Sequence, residues 1–309
     1  PGGWLALEGA AADRGEATNE PVPRYFFAGE TFRGTGGEAS LWIYDEDDAR
    51  TLVRRWKERG AQFIKAYADL SWPLRRAVSE EARRLGLPVA GHNDHLELTT
   101  KSVTLGYASL EHIPNNDRLY DDVLQMLALA GTRFDPTLGV RYGNALLLRD
   151  EPERLADPKF RAFTPEWRIR EPGVTRDMNV AGNKAVRGYW VEKLASIRAA
   201  HRRGVRLLAG GHVTPLGPLQ LQWELEFFVQ AGIPPLEVLR IATQEAAAAV
   251  GAEDHLGTLE PGKLADIVLL DANPLEDIKN TQTIWRVLKG GWLFDPEKLR
   301  PPESASTTK

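Results

Sequence analysis

The sequence predicts an α/β fold built on a parallel sheet, and three observations carry that prediction. Short apolar runs alternate with stretches of helical spacing along most of the chain, which is the pattern of strands joined by helical crossovers. The 309 residues are 42% hydrophobic and 27% charged, a globular composition in a chain long enough to bury a sizeable core. After about residue 255 the helical spacing stops, and β-type runs separated by turn residues take over.

The elements follow in order. Residues 24–28 are a short apolar run ended by Gly29. Ala49, Leu52, Val53 and Trp56 recur at helical spacing, and Gly60 closes that helix. Residues 62–68 (QFIKAYA) read as a buried strand. Ser71 then takes a cap position with Pro73 in the first turn. Leu74, Ala77, Val78, Ala82 and Leu85 form the next stripe, ended by Gly86, and residues 87–91 are a strand. Residues 99–105 read as the end of a helix, and residues 108–112 as a strand. Leu119, Val123, Met126 and Leu127 mark a helix, and residues 133–138 a strand. Val186, Trp190, Leu194 and Ile197 mark a long helix stopped by Gly204, before a strand at 205–209. Residues 219–229 and 235–250 read as two further helices. The run 257–263 (GTLEPGK) is turn-rich, 265–270 (ADIVLL) is a strand, and 284–288 with 291–294 form a hairpin around Lys289-Gly290.

About six strand–helix units result. A complete (β/α)₈ barrel takes roughly 250 residues and eight units, so the pattern fits the last six units of such a barrel. An open doubly wound sheet fits the alternation as well. The expected division is a partial (β/α) barrel carrying the chemistry over residues 1–255, a β-rich subdomain over 256–300, and a polar disordered tail over 301–309. Residues 144–180 break the rhythm, and read either as a functional lid or insertion, or as a surface excursion.

Composition excludes several classes. No apolar run approaches the ~18–20 residues that span a bilayer, so membrane insertion is not expected. The net charge of −4 and the lack of a Lys/Arg block argue against nucleic acid. With no cysteine there is no disulfide framework, thiolate nucleophile or Cys-zinc site. The chain starts Pro1-Gly2-Gly3, without an initiator Met or a visible signal peptide, as a processed or partial chain does.

The chemistry is concentrated in few residues. Of the six histidines, His92, His112 and His212 each stand at the end of a strand-like run (LPVAGH, ASLEH, LLAGGH). Active sites of parallel barrels lie at C-terminal strand ends, and converging histidines there suit a metal. The competing reading is three separate structural histidines. His95, three residues past His92, reads as a solvated loop residue, with a metal ligand or a support to one as the alternative; His201 and His255 read as surface residues. Lys65 lies within a buried strand, where an unpaired ammonium is costly. A lowered pKa would suit capture of CO₂ as a carbamate; a lysine reaching a carboxylate at the barrel mouth is the alternative. Glu111 and Asp135 are carboxylates near strand ends. Gly34-Thr35-Gly36-Gly37 lacks the residues of a phosphate loop, and no G-x-S-x-G elbow is present.

Residues 236–278 (LEVLRIATQEAAAAVGAEDHLGTLEPGKLADIVLLDANPLEDI) resemble the C-terminal signature of the amidohydrolase superfamily, imidazolonepropionase-like branch. FIKAY, LPVAGH, ASLEH and LLAGGH fall in the order of that family's fourth, fifth, sixth and eighth strands. The chain is most similar to the subgroup whose amidohydrolase domain follows a TolB-like propeller. The resemblance implies a metal-dependent hydrolase on a TIM-like barrel, lacking its first strands here, with part of a small β-sandwich. It implies hydrolysis of an amide-type C–N bond in a dipeptide, cyclic amide or N-acyl amino acid by metal-activated water. One or two zinc ions, or another divalent metal, would serve it. Lys65 would be a carbamylated bridging ligand and His92 and His112 ligands. His212 stands where the family carries an Asp that binds metal and acts as base, so His212 would take both roles. Tyr142, in DPTLGVRYG, would sit at the pocket mouth, where Arg141 and Tyr142 would either touch substrate or serve loop packing. The family's strand-one His-x-His is absent from this sequence, which implies an N-terminal fragment or partner chain that supplies it, and an oligomer. A propeller upstream would favour a periplasmic or secreted setting. A lactone, ester, carbamate or phosphoester hydrolase on the same scaffold, and a subunit that does not catalyse alone, are the other readings.

Overall fold

The computed structural model describes residues 22–34, 43–115, 118–140, 142–164, 166–170, 179–212 and 219–299. The polar tail beyond residue 300 and the glycine-rich run after Gly34 lie outside them. The first predicted helix forms as α1, Glu46–Glu58. Asp45 caps it by accepting from the Asp48 N–H at 2.8 Å, acidic residues fill the first turn, and Arg55 and Lys57 fill the last. Each choice complements the helix dipole. Ala49, Val53 and Trp56 are its buried face. Gly60 ends it in the left-handed region.

The strand–helix alternation continues with β1 (Ile64–Ala66), α2 (Trp72–Arg84), β2 (Val89–His92), α3 (Leu96–Thr104), β3 (Ser109–Glu111), α4 (Asp121–Ala130) and β4 (Arg133–Asp135). The four strands form one parallel sheet in the order β1-β2-β3-β4. Their residues are mostly buried, as a sheet covered on both faces requires. Gly91 in β2 has a steric reason: a Cβ there would lie 2.6 Å from the Tyr107 ring.

Several expected strands differ from what forms. Residues 24–28 make no strand; Phe27 exchanges bonds with Gln62, and the pairing with β1 comes later, at the Phe32–Ala66 bridge. The apolar run marked a chain lying along the sheet edge, and the bridge positions come later, at Phe32 and Arg33. Residues 205–209 reduce to a bridge position at Leu207, although the Arg206 carbonyl accepts from the Phe134 N–H at 2.8 Å.

The chain divides into two compact units. The first takes in Pro1–Asp135, Arg203–Arg206 and Ala246–Lys263, and so contains the parallel sheet. The second takes in Pro136–Arg202, Leu207–Glu245 and Leu264–Lys309. In the second unit, the described residues of 144–170, within the segment that breaks the sequence rhythm, are largely helical. The segment contains α5 (Gly143–Asp150), α6 (Pro158–Phe163) and α7 (Glu166–Ile169). These helices are too short to show a period, and prolines start two of the turns in this stretch. They pack rather than protrude: Phe160 stacks on Trp223, and Arg154 makes a bidentate pair with Glu226. Trp190 of α8 (Lys184–Arg202) meets Phe227 of α9 (Gln220–Gln230) edge to face at 5.1 Å. The helix expected over 235–250 forms as α10 (Pro235–Arg240), a π turn (Ile241–Glu245) and α11 (Ala246–Ala249).

The C-terminal β region forms as read. An antiparallel sheet joins β5 (Ile267–Leu270), β6 (Ile284–Lys289) and β7 (Trp292–Phe294) in that order. Gly290 and Gly291, both at positive φ, supply the tight turn of the β6–β7 hairpin. Among the described residues no helix is long and apolar enough to cross a membrane.

Candidate active site

Strand register places the candidate residues before any side-chain contact is considered. Lys65 pairs with Ala90, Ala90 with Ser109, and Ser109 with Arg133. Side chains alternate along a strand, so the next layer on the same face, toward the C-terminal ends, is His92, Glu111 and Asp135. Those three are themselves register partners. Tyr67 stands one residue past the Ala66–Gly91 pair, level with His92. Arg33 follows Phe32, the bridge partner of Ala66, and is level with Tyr67.

The side chains fill in that layer. The Arg33 guanidinium lies 3.7 Å over the Tyr67 ring. Tyr67 and His92 are 4.2 Å apart by ring centroid, and His92 and His112 are 4.6 Å apart. His92 Nε2 is 3.0 Å from Asp94 Oδ1. Both histidines are buried.

His112 reaches the layer by a strained backbone. It has φ 77, a left-handed conformation that is rare outside glycine. Strain of this kind costs on the order of 1–3 kcal/mol and persists where the surroundings fix it. The His112 N–H donates to the Asp135 carbonyl at 2.7 Å. The His112 carbonyl accepts from Asn93 Nδ2 at 3.2 Å, and Asn93 Oδ1 accepts from Thr99 Oγ1 at 2.8 Å. Asn93 and Thr99 are fully buried.

Lys65 sits one layer deeper. Burial pushes its ammonium pKa down, partly opposed by the carboxylates of Glu111, Asp135 and Asp94. Glu111 also accepts from Ser109 Oγ at 2.6 Å.

The structure thus brings His92 and His112 together, with Lys65 on the same sheet one layer deeper. Among the described residues no three His, Asp or Glu side chains form a metal-ligand group. The donors present suit a divalent metal in kind, with two adjacent imidazoles and an amine able to become a carbamate. They are a partial set in number.

The other predicted residues belong to the second unit. His212 is exposed, and its backbone N–H donates to Gln220 Oε1 at 2.8 Å. Tyr142 opens α5 at φ 72 and meets Tyr189 edge to face at 6.0 Å. Arg141 lies outside the described residues. The sequence reading missed Glu224, which is buried on α9. Its two oxygens accept the N–H groups of Leu138 and Gly139 at 2.7 and 3.1 Å. Burial pushes its pKa up to about 8. Tyr67, Asn93 and Arg33 were missed as well. The strand periodicity around Lys65 already marked Tyr67 as its same-face neighbour.

A groove of about 380 Å³ in the second unit includes Asp150, Glu151, Arg187 and Lys279 in its lining. Its charges are committed to one another, Arg187 to Asp150 and Lys279 to Glu151. It has no counterpart to the histidine pair.

Comparison with known proteins adds three findings. The sequence model of the Amidohydrolase family matches residues 73–293, a stretch that includes His92, His112 and His212 and begins after Lys65. Ochratoxinase of Aspergillus niger is 27% identical over 288 residues, covering 87% of this chain and 54% of that protein. Imidazolonepropionase of Caldanaerobacter subterraneus subsp. tengcongensis is 25% identical over 249 residues, covering 77% of this chain and 48% of that protein. The chain therefore spans about half the length of the curated relatives it matches. A crystal structure of a Xaa-Pro dipeptidase superposes with a TM-score of 0.69 at 21% identity, over 94% of this chain and 72% of that one. The shared fold is the TIM-like barrel, mixed α/β with a parallel sheet and a small antiparallel sheet.

Proposed function

The chain belongs to the amidohydrolase family, and we propose that it takes part in hydrolysing an amide-type C–N bond on the sheet face that carries Lys65, His92 and His112. The observation that carries this reading is the histidine pair, two rings 4.6 Å apart at neighbouring strand ends. The strained backbone of His112 supports it, since a purely structural histidine gives no reason to hold φ 77. Family members are typically metal-dependent. A divalent metal such as zinc, when bound, supplies a water with pKa lowered toward ~7 and polarises the scissile carbonyl.

The residues divide the remaining work. His92 and His112 would hold the metal through their imidazoles, and Lys65 would join them as a carbamate. Asp94 holds His92 in a fixed orientation through its bond to Nε2, and a change of partner at that nitrogen would free it as a ligand. Asn93 fixes His112 through the backbone carbonyl. His212 would hold or move a proton at its ring, and Arg141 and Tyr142 would meet substrate. Donors from outside these 309 residues, on an upstream segment or a separate chain, would complete the set, because the sequence holds no His-x-His pair.

The test is hydrolysis of matched amide and ester substrates by the metal-loaded assembled protein. Lys65→Ala, His92→Ala and His112→Ala are each expected to abolish metal-dependent amide cleavage while thermal unfolding stays cooperative. Full activity in any of the three contradicts the assignment. Cleavage of the esters alone would favour the lactone or ester reading.

A further inference from the structure

The layer that holds the histidines also holds a cation whose hydrogen-bonding capacity is unspent among the described residues. Arg33 is half-buried, and its guanidinium lies flat on Tyr67 at 3.7 Å. Among the described residues its side chain makes no hydrogen bond or ion pair, and its guanidinium meets only the Tyr67 ring. Stacking uses the face of a guanidinium and leaves its edge, with five N–H donors in a fixed fork, free to bind. Two ring contacts, of 3.7 and 4.2 Å, separate that group from the His92 ring.

We propose that Arg33 anchors a carboxylate of the substrate, so that the amide cleaved carries a carboxylate close to its scissile C–N bond. The proposal rests on the amide-hydrolysis reading above, and it narrows the substrate to N-acyl amino acids or dipeptides over neutral cyclic amides. A fork matches the two oxygens of a carboxylate, and a bidentate pair fixes orientation as well as position. Tyr67 fixes the plane of the fork by stacking beneath it, and Tyr67 is itself held by His92. The rest of the face argues for Arg33 over any other cation. Asp94, Glu111 and Asp135 make the layer anionic, so an anion is held there only where a cation meets it directly. Lys65 and Arg133 lie one layer deeper.

The test uses N-benzoylglycine and its neutral counterpart N-benzoylglycinamide, with calorimetric affinities measured on the full chain, on Arg33→Gln and on Arg33→Lys. The acid is expected to bind the wild type at least about tenfold more tightly than the amide. Arg33→Gln is expected to lose that preference, and Arg33→Lys to keep part of it, since a point charge replaces the fork. All three proteins should share one thermal transition, because the Arg33 side chain is half-buried and pairs with no carboxylate among the described residues. Equal affinity for acid and amide in the wild type, no binding of either, or a preference retained in Arg33→Gln would overturn the anchor. Turnover separates this from the parent reading. An acid that binds through Arg33 and is never hydrolysed contradicts amide hydrolysis and leaves the anchor standing. Acid and amide cleaved with equal kcat/KM contradict the anchor and leave amide hydrolysis standing.

Discussion

His112 concentrates the residue-scale logic of the site. Its left-handed backbone turns the ring toward His92, and Asn93, Thr99 and the Asp135 carbonyl hold it there. Two substitutions separate backbone from ring. Asparagine tolerates the left-handed region, whereas a β-branched side chain does not. His112→Asn is expected to keep stability close to wild type, and His112→Val to lose about 1–3 kcal/mol more. Urea unfolding of the two variants checks this, and equal loss in both would mean that the strain is not what the backbone angle indicates. The ring positions were legible in the sequence, because each histidine ended an apolar run. The strain was not, since no residue pattern marks φ at a strand end. Lys65 was legible only as an anomaly. Its burial within the sheet gives the reason its ammonium is held toward neutrality, against the opposing pull of Glu111 and Asp135 in the layer above.

At the scale of elements, Glu224 shows how a helix can secure a loop. The carboxyl of α9 accepts two consecutive backbone N–H groups of the turn after β4, at Leu138 and Gly139. That turn leads to Tyr142. Burial raises its pKa to about 8, while the unfolded chain keeps the ordinary carboxylate value. Between about pH 4.5 and 8 the unfolded state is therefore ionised and the folded state protonated. The unfolded state binds fewer protons, so stability contributed here is full below about pH 4.5 and falls as pH rises toward 8. Glu224→Gln keeps one acceptor and cannot ionise. It is expected to cost about 1–3 kcal/mol at pH 4.5, with the gap to wild type closing as pH approaches 8. Chemical unfolding across that range checks it; a gap that widens with pH would contradict the account. Sequence periodicity found the helices with long stripes, such as α1, α2 and α8. It failed over residues 144–180 because helices of four to eight residues present no repeating face. It also lengthened strands, reading 62–68 where Ile64–Ala66 pairs, since apolar runs continue past the last ladder bond.

At the scale of the whole molecule, the parallel sheet works as a register device. It aligns Tyr67, His92, Glu111 and Asp135 in one layer and places Lys65 beneath them. The fold class was legible from alternation and from the C-terminal signature, and the family match over residues 73–293 agrees with it. The completeness of the metal site was not legible, because ligand number depends on what converges in space. The central claim is that the Lys65, His92 and His112 face binds the catalytic metal. Its most direct test is zinc bound per chain at equilibrium, by elemental analysis, in the assembled protein with its completing donors present, for the wild type and the His92→Ala/His112→Ala double variant. The account predicts about one ion or more per wild-type chain and none in the folded double variant. Zinc held equally by both proteins, or by neither, would contradict it.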